Sequence, residues 1–195
     1  METVVGLVLA GGEGRRLGLG AKALLRSGGA TLVERAVGVL RSGGCEPVLV
    51  VVGAQAEEVS PLVAGAGAQA VVNSDWAIGL ASSFRAGVGA VPAGADRVVV
   101  LLVDQPGVSA DVVARLLAEH RPGTVIAAEY GDGGARHPMV FDADLARAAA
   151  ELAEGDRGAR AYLRRHPELL HLVDASDLGS AADVDTPEDL HLLQP

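Results

Sequence analysis

The stretch "DRVVVLLVD", Asp96 to Asp104, sets six consecutive apolar residues between acids. Side chains alternate across a strand, so such a run has no wet face, and its sheet must be covered on both sides. Val4–Ala10 and "PVLVVVG" (Pro47–Gly53) repeat the pattern, and Thr124–Ala128, Pro138–Phe141 and Leu170–Val173 are weaker strand signals. Helical segments fit between them. Thr31 and Glu34 have capping-box spacing at the head of a helix that ends near Arg41. Further helices are expected over Ser82–Val91, Ser109–His120, Asp144–Leu152 and Gly158–His166, and Thr186-Pro187-Glu188 starts another. The alternation predicts an α/β fold, a single doubly wound, mostly parallel sheet flanked by helices in the Rossmann-like manner, with residues 1–195 forming one domain. In such sheets ligands gather beyond the carboxyl ends of the strands. That rule selects the loop after Ala10, the loop holding Asp104 and the C-terminal loops.

Composition narrows the partners. A formal net charge of -9 argues against broad nucleic-acid or anionic-membrane binding. No apolar run approaches the ~20 residues of a membrane span. The opening residues lack the pattern of a secretory signal, and the single cysteine, Cys45, forms no internal disulfide. A cytoplasmic setting is expected. Against this acidic background Arg15, Arg16, Lys22 and Arg26 cluster in one window, opposed only by Glu13.

That window is "LAGGEGRRLGLGAKALL". Glycines at 11, 12 and 14 allow backbone N–H groups to turn toward an anion, and the basic side chains add charge-assisted contacts. The loop fails the Walker A pattern, because Ala21 precedes Lys22 and Ala23 follows it. It also departs from the dinucleotide fingerprint, since Gly12, Gly14 and Gly18 are spaced G-x-G-x-x-x-G. From the residues alone, a phosphate loop and a glycine-rich structural turn both stand.

The same loop resembles the signature of the nucleotidyltransferases that build nucleotide forms of the molybdenum cofactor, with Arg16, Gly18 and Lys22 in the last three signature places. "NSDWAIGLASSF", "VDQP", "RHPMVF", "GDRGAR" and "DVDTPEDL" resemble further segments of that family in the expected order, although Arg136 stands where a glycine usually precedes His137. The resemblance implies a nucleotide-diphospho-sugar-transferase-like fold. It also implies a Mg²⁺-dependent transfer of CMP from CTP to molybdenum-bound molybdopterin, releasing pyrophosphate, with a recipient molybdenum enzyme as a possible partner. Gly11 leans toward GTP-using relatives, while the DQP, RHP and GDRGAR segments lean toward CTP. A sugar- or polyol-phosphate transferase and a non-catalytic nucleotide- or cofactor-binding chaperone are the other readings.

Carried over by position, Arg16, Lys22 and Asp104 are the implied catalytic residues. Leu9, Ala10, Gly11, Gly12, Gly14, Asn73, Ser82 and Ser83 join them around the nucleotide. Asp104 and Asp185 are the implied Mg²⁺ ligands, with Asp183 as an auxiliary acid. Trp76, His137, Asp156 and Arg160 fall on the acceptor side. A phosphate role for Lys22 predicts that Lys22→Ala spares the thermal midpoint.

Overall fold

In the computed structural model, which describes residues 2–131 and 136–194, seven strands form one sheet in the order β5-β4-β1-β6-β8-β7-β9. The parallel half comprises β1 (Val4–Ala10), β4 (Val48–Val52), β5 (Gln69–Val72) and β6 (Arg97–Leu102). Beyond β6 lie β8 (Met139–Asp142), β7 (Val125–Glu129) and β9 (Leu170–Asp174). β8 runs antiparallel to both its neighbours, and β7 pairs parallel with β9. The remaining strands, β2 (Arg26–Ser27) and β3 (Ala30–Thr31), make a small hairpin turned through Gly28 and Gly29, both at positive φ.

The strands are apolar on both faces because both faces are covered. Along β1, Val4, Val8 and Ala10 join one core, and Val5, Leu7 and Leu9 join the other. The first core receives α1 (Leu32–Ser42), α2 (Ala56–Gly65) and α4 (Ala110–Glu119) through residues such as Leu40, Val63 and Leu116. The second receives α3 (Leu80–Gly89), α5 (Ala143–Glu151) and α6 (Arg160–Arg165) through Phe84, Ala146 and Tyr162. Contact is close on both sides. A Cβ at Gly87 of α3 would lie 2.6 Å from Leu7 Cδ1, so this glycine sets how near the helix approaches the sheet.

One local expectation holds and others are revised. The Thr31 capping box is present, with the hydroxyl accepting from the Glu34 amide and the Glu34 carboxylate accepting from the Thr31 amide. Helix α2 and strand β5 went unpredicted: Pro61 interrupts the helical pattern, and the edge strand β5 is only half-buried. The segment after Thr186 forms 3-10 turns over Pro187–Leu193 rather than an α-helix. No helix among the described residues is long and apolar enough to cross a membrane.

The topology places the site. From β1 the chain moves outward through β4 to β5, then returns by α3 to β6 on β1's other side. The order reverses between β1 and β6, and a crevice opens at such a switch point beyond the carboxyl ends of the two strands.

Candidate active site

The loop after β1 fills this crevice. Gly14, Gly18 and Gly20 take positive φ (67°, 73° and 83°), and a Cβ on Gly14 would lie 2.5 Å from the Gly20 carbonyl oxygen. Leu17 anchors the loop in the interior, and the amides of Leu17 and Gly18 donate to the Gly14 carbonyl. At its far end the Ala21 amide donates to Gln55 Oε1 at 2.6 Å. Gln55 is the one non-glycine residue at positive φ among the described residues (52°). Backbone strain of this kind persists where the surroundings over-determine it.

Lys22 follows that clasp. Its Nζ donates to Asp104 Oδ2 at 2.7 Å and also to Asp185, so two carboxylates 81 residues apart meet on one ammonium. Asp185 accepts from Arg16 Nη2 at 2.7 Å through its other oxygen. Burial opposes the lysine's charge, but Asp104 and Asp185 outweigh it and raise its pKa. Arg15 pairs instead with Glu13 on the exposed outer side of the loop.

The carboxylates are held from behind. The Asp104 carbonyl accepts from the Val184 amide at 2.9 Å, and Gln105 Nε2 donates to Asp183 Oδ1 (2.8 Å) and to the Ala181 carbonyl (3.2 Å). Asp189 Oδ2 accepts from the amides of Asp185 and Thr186, which fixes the turn presenting Asp185. Burial and then the charge of Asp104 push the Asp183 carboxyl above its ordinary range, against the Gln105 hydrogen bond. This crowd of negative charge is the physical test for a metal. Among the described residues no three His, Cys, Asp or Glu side chains form a ready metal cluster. Mg²⁺ needs only one or two carboxylates, with water and phosphate completing its octahedron, and the hard oxygens of Asp104 and Asp185 fit that demand.

Leu9 and Ala10 are buried at the carboxyl end of β1, where they aim the loop but offer no exposed side chain. Gly12 stands in open space, whereas a Cβ on Gly11 would lie 2.8 Å from Ser83 Oγ. Asn73, Ser82 and Ser83 are buried beneath Gly11 and bonded to one another, with Asn73 Nδ2 donating to both hydroxyls at 2.9 and 3.1 Å. Asn73 Oδ1 accepts from the Asp75 amide, so this side chain ties its own turn to the start of α3. Trp76 packs its Cβ over Gly53 and Gly11.

The residues that the resemblance assigns to the acceptor lie elsewhere. His137, Asp156 and Arg160 line a cavity of about 940 Å³ on the α3–α6 face, and Trp76 does not. Asp183 lines it too and so joins it to the charged centre. Asp156 Oδ1 accepts from the Leu80 amide at 3.3 Å and thereby serves the start of α3. Among the described residues His137 Nδ1 is buried without a hydrogen-bond partner, and burial followed by the Arg160 charge pushes the imidazole down to about 4. Gln55, Gln105 and Asp189 were missed as site residues. Gln105 stood in the quoted VDQP segment, while nothing in sequence distinguishes Gln55 before its backbone angle is seen.

Comparison with known proteins identifies the architecture. The model of the MobA-like NTP transferase domain matches residues 6–169. The chain is 44% identical, over 99% of its length and 97% of the relative's, to a protein of Paenarthrobacter nicotinovorans named nicotine blue oxidoreductase. It is 34% identical to a "Probable molybdenum cofactor guanylyltransferase" of Opitutus terrae, over 83% of this chain and 78% of that one. Among solved structures, a nucleotidyl transferase from Methanothermobacter thermautotroptrophicus superposes with a TM-score of 0.84 at 27% identity, covering 99% of this chain and 97% of that chain. Rv0371C of Mycobacterium tuberculosis, in complex with manganese, gives 0.78 at 28% identity, over 98% of each chain. The fold is that of the nucleotidyltransferases, and this chain belongs to the MobA-like NTP transferase family.

Proposed function

We propose that this enzyme transfers a nucleotidyl group from a nucleoside triphosphate to a phosphate-bearing, molybdopterin-type acceptor in the cytoplasm. The observation that carries the reading is the Lys22 ammonium shared by Asp104 and Asp185 at the switch point beside the glycine loop. Nucleotidyl transfer asks for positioning and charge stabilisation rather than a covalent protein intermediate. An acceptor phosphate oxygen attacks the α-phosphorus, a new anhydride bond forms, and the bond to the β-phosphate oxygen breaks as pyrophosphate leaves with the electron pair. The loop amides, Arg16 and Lys22 bind and orient the phosphate oxygens. Asp104 and Asp185 would hold a divalent cation, Mg²⁺ by expectation, whose chemistry is to offset charge on those oxygens. Asp183 and Gln105 keep the second carboxylate in register.

For the base, the DQP, RHP and GDRGAR segments support CTP. Gly11 and the relatives named guanylyltransferase support GTP as the second reading. The 44%-identical relative named for an oxidoreductase supports a reductase as a third. One experiment separates them: pyrophosphate release from CTP, GTP, ATP and UTP with molybdenum-loaded molybdopterin, in Mg²⁺ or Mn²⁺, beside NADH and NADPH oxidation with nicotine blue. Acceptor-dependent pyrophosphate release is expected, fastest with CTP. Reductase turnover without pyrophosphate release would overturn the transferase reading.

A further inference from the structure

A single turn holds both ends of the glycine loop. Gly53, Ala54 and Gln55 connect β4 to α2. The Ala54 amide donates to the Gly11 carbonyl at 3.1 Å, and Gln55 Oε1 accepts from the Ala21 amide at 2.6 Å. Among the described residues, the backbone from the Gly11 carbonyl to the Ala21 amide hydrogen-bonds to no other element. Gln55 takes up this place against two local preferences. Its φ of 52° lies in the left-handed region, which a residue with a long side chain seldom adopts. It also precedes α2 without capping that helix through its side chain. The amide is used on the loop instead. Gln55 Nε2 donates to Glu58 Oε1 at 2.9 Å, and the two partners dictate the orientation, since an N–H needs the oxygen and a carboxylate needs the nitrogen. A Cβ on Gly20 would lie 2.6 Å from the same Gln55 oxygen, so only bare backbone lets the loop close on it. Lys22 follows directly, its Nζ bound to Asp104 and Asp185. Strain that a smaller residue would relieve gathers at sites where function needs the side chain.

We propose that Gln55 is a positioning residue for this loop. It acts through the Ala21 amide, fixing the end of the loop from which Lys22 reaches, and so sets the span over which the loop amides and Lys22 together meet a triphosphate. Without that contact the loop keeps its glycines and its charges but not their common geometry. The ligand class, a triphosphate on this loop, rests on the transferase reading.

The probe is inorganic tripolyphosphate, titrated calorimetrically into the full chain in Mg²⁺. Gln55→Gly and Gln55→Asn adopt the left-handed angle more readily than glutamine but cannot reach Ala21. Each should weaken tripolyphosphate binding about five- to tenfold, the scale of one lost hydrogen bond, with thermal midpoints near wild type. In pyrophosphate release the same variants should raise KM for the nucleoside triphosphate and leave KM for the acceptor unchanged. Gln55→Glu combined with Glu58→Gln exchanges the two groups, keeps an acceptor oxygen for the Ala21 amide, and should recover most of the affinity. Wild-type affinity in Gln55→Gly, no recovery in the exchanged pair, or a large fall in thermal midpoint accompanying the lost affinity would overturn the proposal. A wild-type protein that binds no tripolyphosphate would overturn it too. Gln55-dependent binding without pyrophosphate release from any nucleotide would sink the transferase reading and leave the positioning role standing. Pyrophosphate release with the triphosphate KM unchanged in Gln55→Gly would do the reverse.

Discussion

Removing the Lys22 ammonium leaves Asp104 and Asp185 facing each other without their shared counter-charge. The size of the penalty follows from how sheltered the trio is. Side-chain exposure is 13% for Lys22, 20% for Asp104 and 28% for Asp185. Breaking a fully buried ion pair costs about 3–5 kcal/mol, whereas an exposed pair contributes about 0–1. This centre lies between those limits, so Lys22→Ala should cost roughly 2 kcal/mol, a figure discounted for partial solvent screening. For a domain of this size that corresponds to a fall of about 4–8 °C in Tm. The geometry therefore reverses the expectation from the loop alone, that the midpoint would be spared. Mg²⁺ should restore much of the loss, because a cation between the carboxylates does what the ammonium did. The assay is calorimetric unfolding of wild type and variant at low ionic strength, with and without Mg²⁺. Equal midpoints in the absence of metal, or Mg²⁺ shifts no larger in the variant than in wild type, would refute the shared counter-ion.

Three other outcomes are expected. Asp104→Asn keeps the shape of the side chain but removes its charge, and should lower pyrophosphate release on the order of 10²–10³-fold; Asp185→Asn should act in the same direction, and wild-type rates in both would leave the chemistry without its carboxylates. Gly11→Ala forces a methyl against Ser83 Oγ, so it should lower stability, with Ser83→Ala relieving the clash in the double variant. The same substitution should move the CTP/GTP ratio of kcat/KM toward CTP, and an unchanged ratio would place base recognition away from this contact. The third outcome concerns His137, whose imidazole is held down to about 4 by burial and by Arg160. The unfolded chain then binds the extra proton between about pH 6.5 and 4. This neutral histidine therefore stabilises fully above pH 6.5, and its contribution is lost as pH falls toward 4. His137→Gln should flatten the decline of Tm across that window, and parallel profiles would show that the ring titrates normally.

The apolar runs fixed most of the architecture in advance because their physical meaning is unambiguous. An apolar run such as Val98–Val103 can only be covered on both faces. The loop carrying Lys22, the DQP turn and the Asp185 segment could be placed at one edge by topology alone. Three things were hidden for identifiable reasons. Helix α2 contains Pro61 and shows only two fully buried positions, Val59 and Val63, so its periodicity is faint. The direction of β8 leaves no mark on its composition, yet it determines that the start of that strand, beside His137, reaches the ligand edge. Asn73, Ser82 and Ser83 were grouped by motif around a nucleotide, but their mutual hydrogen bonding depends on a turn geometry that spacing does not encode. Gln55 belongs with these, its contact with Ala21 following from a left-handed backbone angle.

The backing of Asp185 has a consequence for the order of assembly. Lys22 and Asp104 can meet once β1 and β6 are paired, but Asp185 arrives after β9 on a segment with no strand of its own. That segment is tied down by the Val184–Asp104 and Ser180–Gly107 backbone bonds and by Gln105. In chain order the last strand of the sheet, β9, therefore precedes the residue that completes the Lys22–Asp104–Asp185 cluster. Until those last ties form, Lys22 holds one carboxylate rather than two. The centre closes only when the polypeptide has been made past Asp185, so the fold withholds its full charge constellation from partially synthesised chains.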